Sequence, residues 1–90
     1  MKLSLKKFGA ILTSRPEGRE AALICLAYEA DIKNATSVNL DFEGIIVMTP
    51  SWLSEFVQTL KEKGIVQIEF LPSENPTVTS SIEFIEPEIK

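Results

Sequence analysis

Two short alternating segments, Val38-Asn39-Leu40-Asp41-Phe42 and Val66-Gln67-Ile68-Glu69-Phe70, stand on either side of an amphipathic stretch. A strand turns successive side chains to opposite faces, so each segment buries one face and wets the other. Between them Leu53, Phe56, Val57 and Leu60 recur at helical spacing, with Gly64 as a stop. Strand, helix, strand is a βαβ unit whose strands run parallel through a right-handed crossover. Strands covered on both faces read as continuous apolar runs. The polar Asn39, Asp41, Gln67 and Glu69 therefore predict a sheet with helices packed mainly on one face.

The rest of the chain fits around that unit. Leu3 and Leu5 alternate with Lys2, Ser4 and Lys6 as a first strand, which Phe8-Gly9 interrupts and Ile11-Leu12 extends or re-forms. Ser14 with Glu17 makes a capping box around Pro16 and opens a helix from about Arg15 to Ile32. Its stripe is Leu23, Leu26, Ala27 and Ala30, with Ala22 beside it, and K-N-A-T-S ends it. Gly44 turns the chain into I-I-V-M, residues 45–48, an apolar tetrad expected inside. The tail over 77–86 is rich in β-branched and hydroxyl residues and is expected to be a final strand, although Val78, Ile82 and Ile85 also fit a helix. The fold class is α/β bordering on α+β, a two-layer mixed sheet in one domain over residues 1–90.

Several functions are excluded by what the chain carries. Its 90 residues bear a net charge of -4, which repels a phosphate backbone, so nucleic acid is not an expected partner. The apolar runs fall far short of the roughly 20 residues that span a bilayer. M-K-L-S-L-K-K-F lacks the apolar core of a signal peptide, so the expected location is cytoplasmic, with no membrane partner. No histidine is present, which removes the commonest general base and most zinc sites. No enzyme activity, cofactor or metal is expected. Cys25, flanked by Ile24 and Leu26, reads as a buried, inert thiol.

The candidate residues cluster where the apolar tetrad meets the second helix. Thr49 and Ser51 flank Pro50 as helix caps, and they are also candidate phosphosites, since a phosphate there sits against the helix's positive end. Trp52 is either a core residue or an exposed anchor for a partner. Arg15 and Arg19, one turn apart at the first helix's start, offer an anion site or pair with nearby acids. Asp41 and Glu43, with Glu69 beside them, form an acidic group or a solvated sheet face.

The segment S-V-N-L-D-F-E-G-I-I-V-M-T-P-S-W-L-S-E-F-V-Q-T-L resembles the central signature of STAS domains, the fold of bacterial anti-sigma-factor antagonists. Upstream, F-G-A-I-L-T-S-R-P-E-G-R-E-A-A is similar to STAS-like domains of unassigned function. The resemblance covers about Phe8 to Phe70 and implies a small mixed sheet with helices packed on it. It also implies a regulatory module that binds another protein, such as a kinase-like ATPase or the product of a neighbouring gene. The related domains meet their partners at the region corresponding to Thr49, Pro50, Ser51, Trp52 and Glu55. In the antagonists an Asp-Ser-Ser-Gly motif there carries the phosphorylated serine. Pro50 stands at that serine's position, so the specific switch does not carry over. Homodimerisation is open from the sequence: edge strands at the termini offer a pairing between chains, and an acidic face opposes it.

Overall fold

A computed structural model describes residues 1–28, 32, 35 and 37–89, without the side chains of 88 and 89. The order is β1 (Lys2–Ser4), a 3-10 turn (Leu5–Phe8), β2 (Ile11–Leu12), α1 (Arg15–Tyr28), β3 (Ser37–Asp41), β4 (Val47–Met48), α2 (Pro50–Glu62), β5 (Gln67–Phe70) and α3 (Pro76–Ile89). This is an α/β fold with α+β character. β1, β3 and β5 form one sheet in that order, and β2 pairs with β4. All these pairings are parallel, so the sheets are not mixed as the resemblance implied. Each of the first two passes of the chain is a strand broken in the middle. The breaks are the 3-10 turn after β1 and the turn at Gly44 after β3, where φ is 87° and a side chain would crowd Lys6.

Because the strands neighbour one another in chain order, crossovers of one hand place the connecting helices on the same face. The inner face carries Leu3, Val38 and Leu40, all at most 1% exposed, beneath Leu53, Phe56, Val57 and Leu60 of α2, all fully buried. On the outer face one row runs Lys2, Asn39, Glu69 across the three strands. The one-sided sheet expected from alternation is present, although Val66 precedes β5 and is exposed.

Three expectations are corrected. The buried residues of α1 are Gly18, Ala21, Ala22 and Cys25, whereas Leu23 and Ala27 are exposed. At Gly18 the helix lies so close to α2 that a Cβ would overlap the Trp52 backbone. Ala30 and most of K-N-A-T-S lie outside the described residues. In the I-I-V-M tetrad Ile46 is 64% exposed. The N–H groups of Ile46 and Val47 both donate to the Ala10 carbonyl, at 2.8 and 3.1 Å, and this bulge turns Ile46 outward.

The third correction is the tail, which is the helix α3 rather than a strand. Val78, Ser81 and Ile85 face the core at helical spacing. The hydroxyls act where a neighbouring strand would have been. Thr77 Oγ1 accepts from the Met48 N–H at 3.1 Å, and Ser81 Oγ lies 3.2 Å from the Met48 carbonyl. Asn75 Nδ2 donates to the carbonyls of Ile45 and Ile46 at 2.7 and 3.0 Å. Side chains of α3 and its cap thus satisfy the open edge of β4, as buried backbone groups require.

Candidate functional site at the start of the second helix

The candidate residues meet where β4 enters α2. Thr49 is the N-cap in extended conformation, and its Oγ1 accepts from the Trp52 N–H at 3.3 Å. The same hydroxyl donates to the Thr13 carbonyl at 2.8 Å, tying the start of α2 to the segment that leads into α1. Pro50 follows in the first turn, where its missing N–H costs nothing. Ser14 caps α1 in the same way, accepting from the Glu17 N–H at 3.2 Å. The caps at Ser14 and Thr49 therefore hold in the geometry, whereas Ser51 stands inside the first turn of α2 and is not its cap; Thr49 Oγ1 has its donor and one acceptor role committed.

Trp52 is 1% exposed. Its ring stacks on Phe56 at 5.0 Å with 11° between planes, and Phe8 leans on both. It is a core residue, so a partner cannot use it as a surface anchor. Pro50, Ser51 and Glu55 are half-buried and reach the surface.

Arg15 and Arg19 face α2. Arg15 Nη1 donates to Glu55 Oε2 at 3.1 Å, while Arg19 Nη1 lies 4.0 Å from Glu55, 3.5 Å from Glu62 and 3.4 Å from Thr59 Oγ1. Their partners are thus about forty residues away rather than the neighbouring Glu17 and Glu20, and no local pattern signals such a pairing. A bound anion would have to compete with two carboxylates already in place. The site as assembled is a seam of Thr13, Arg15, Thr49 and Glu55 joining two helix starts, with Ser51 beside it on the first turn of α2.

The acidic group does not converge. Asp41 Oδ1 accepts from the Glu43 N–H at 3.1 Å, closing a turn, and its Oδ2 lies 3.6 Å from Lys2 Nζ. Glu69 stands opposite Asn39, not Asp41. Among the described residues no three His, Cys, Asp or Glu side chains are placed to hold a metal ion, and no helix is long and apolar enough to cross a membrane. Burial pushes the Cys25 thiol up to about 11, against a smaller opposing effect of Lys7.

Sequence reasoning missed two concave features. An apolar hollow of about 420 Å³ lies between the C-terminal ends of α1 and α2, lined by Leu23, Leu26, Ile32 and Ile65 among others. A groove of about 580 Å³ separates β5 from α3. The exposed Leu23 and Ala27, both placed by the sequence on the buried stripe, are the local trace of the first.

No family model, curated protein or solved structure matches the chain.

Proposed function

We propose that the chain is a non-catalytic regulatory module of STAS-like type that works by binding another protein through the start of α2. The observation that carries this reading is the junction itself. Pro50, Ser51 and Glu55 reach the surface from a helix start braced by the Thr49 cap, the Thr13 bond and the Trp52-Phe56 stack. A rigid surface of this kind loses little freedom on association, which favours binding. The partner class, a kinase-like ATPase or the product of a neighbouring gene, comes from the resemblance of residues 8–70 alone. Ser51, which reaches the surface, is the candidate phosphosite in this reading, since Thr49 Oγ1 is engaged as cap and donor.

The test is photo-crosslinking in the native host, with a photoreactive side chain at Ser51 and, as control, at the exposed Tyr28 at the far end of α1. One defined adduct from Ser51, absent from Tyr28 and lost in Glu55→Lys, is the expected result. Equal or absent labelling from the two positions refutes the reading. Small-molecule sensing at Arg15 and Arg19 is the alternative, and a thermal shift with any member of a nucleotide panel would favour it.

A further inference from the structure

The two edges of the three-stranded sheet carry opposite charge. β1 and β5 are the edge strands, each paired on one side only among the described residues. Residues 1–8 contain Lys2, Lys6 and Lys7 and no acid, while residues 65–89 contain five glutamates and no basic residue. Lys2, Lys6, Lys7, Glu69 and Glu83 are exposed.

The β5 edge is also shaped for an added strand. The groove of about 580 Å³ beside it has Glu69 and Phe70 on one wall and Thr79, Ile82, Glu83 and Glu86 of α3 on the other. Phe70 and Ile82 are only half-buried there. Extended segments bind in such grooves by pairing their backbone with the edge strand while side chains fill the floor.

We propose that a second copy of this chain occupies the groove, its β1 edge pairing in parallel with β5, so that the sheet continues head to tail from one copy to the next. The register within the chain supports that occupant. Lys2, Asn39 and Glu69 share one row and Leu3, Leu40 and Phe70 the next. Continuing both rows by one strand sets Glu69 beside Lys2 of the next copy and Phe70 beside its Leu3. Opposite charges side by side favour a strand pair, and like charges oppose it. The β1 edge is therefore protected against another β1 edge, and β5 against another β5, while each accepts the other. The contact is heterologous and closes into a ring or grows with concentration. It uses none of the residues from Thr49 to Glu55, so it stands or fails apart from the partner surface proposed above.

The test is sedimentation velocity on the full chain, from micromolar to millimolar concentration, of the wild type, Lys2→Glu, Glu69→Lys and an equimolar mixture of the two variants. Amide NMR spectra check that each variant is folded. The wild type is expected to gain mass beyond the 10.0 kDa protomer as concentration rises. That gain should reverse at about 1 M salt, where charges are screened beyond about 3 Å. Each folded variant alone should stay at protomer mass, and the mixture should recover assembly because every β5 edge again meets an opposite charge. A wild type that remains monomeric throughout overturns the proposal. So does a dimer that persists in both variants, or a folded pair whose mixture does not assemble.

Discussion

The α-carbon of Gly18 rests against the backbone of Trp52. A Cβ added at Gly18 would overlap the Trp52 carbonyl oxygen and stand 3.1 Å from its Cα and carbonyl carbon. The obstructing atoms are backbone, so no rotamer change relieves the contact. At an ordinary helical position glycine to alanine gains about 1 kcal/mol. Here the overlap is with backbone, so the overpacking falls in the upper part of its usual range, about 2–3 kcal/mol; it outweighs that gain, and Gly18→Ala should destabilise by about 1–2 kcal/mol. For a domain of this size the melting temperature should drop by roughly 4–15 °C. A variant that melts above the wild type would show that α1 and α2 do not approach this closely.

Thr49 holds two helix starts through one hydroxyl. Thr49→Ala removes the cap on Trp52 N–H and the bond to the Thr13 carbonyl, and should cost about 1–2 kcal/mol. Thr49→Ser keeps the oxygen and should stay within about 0.5 kcal/mol of the wild type, as should Ser51→Ala. Urea denaturation midpoints with unchanged slopes measure this. Equal losses in Thr49→Ala and Thr49→Ser would assign the effect to the methyl group's packing and not to the cap.

How far the sequence was legible depended on what each helix packs against. α2 lies on the sheet through large side chains, so Leu53, Phe56, Val57 and Leu60 stood out. α1 meets α2 closely at Gly18 and buries only Gly18, Ala21, Ala22 and Cys25, and a search for bulky apolar residues passes over a face made of small ones. It settled instead on Leu23 and Ala27, which border the hollow between the helix ends. In the tail Thr77 and Ser81 gave a strand-like composition, yet four residues separate them on one helical face that meets the β4 edge. The cap at Thr49 was legible because its partner is three residues away. The Arg15–Glu55 pair was not, since its partners are set only by how two helices pack.

Asn75 is the latch of α3. Its Oδ1 accepts from the Thr77 N–H at 2.9 Å while its Nδ2 holds the carbonyls of Ile45 and Ile46. Asn75→Ala leaves those carbonyls and the first turn of α3 without these partners, and should cost about 2–3 kcal/mol. Hydrogen exchange should quicken most at the amides of Val78 to Ile82 and less in α2, because the lost bonds join α3 to β4. Uniform acceleration across all three helices would mean that α3 opens only with the whole domain.

Cys25 gives the fold a stability limit on the alkaline side. In the unfolded chain the thiol ionises near 9.0, whereas burial raises it to about 11 in the folded state. Below pH 9 both states keep the proton and stability does not depend on this group. Between pH 9 and 11 the unfolded state gives up the proton first, so it is favoured progressively as pH rises, and the contribution is lost through the folded pKa. The full loss corresponds to roughly 2–3 kcal/mol. The informative quantity is the difference between the wild type and Cys25→Ala, which isolates this thiol. Denaturation at half-unit steps from pH 8 to 11 should show the wild type falling more steeply than the variant. The thiol should also resist alkylation at pH 8 while folded and react quickly in denaturant. Parallel pH profiles for the two proteins, or rapid alkylation of the native state, would place Cys25 in contact with solvent and undo the packing assigned to α1.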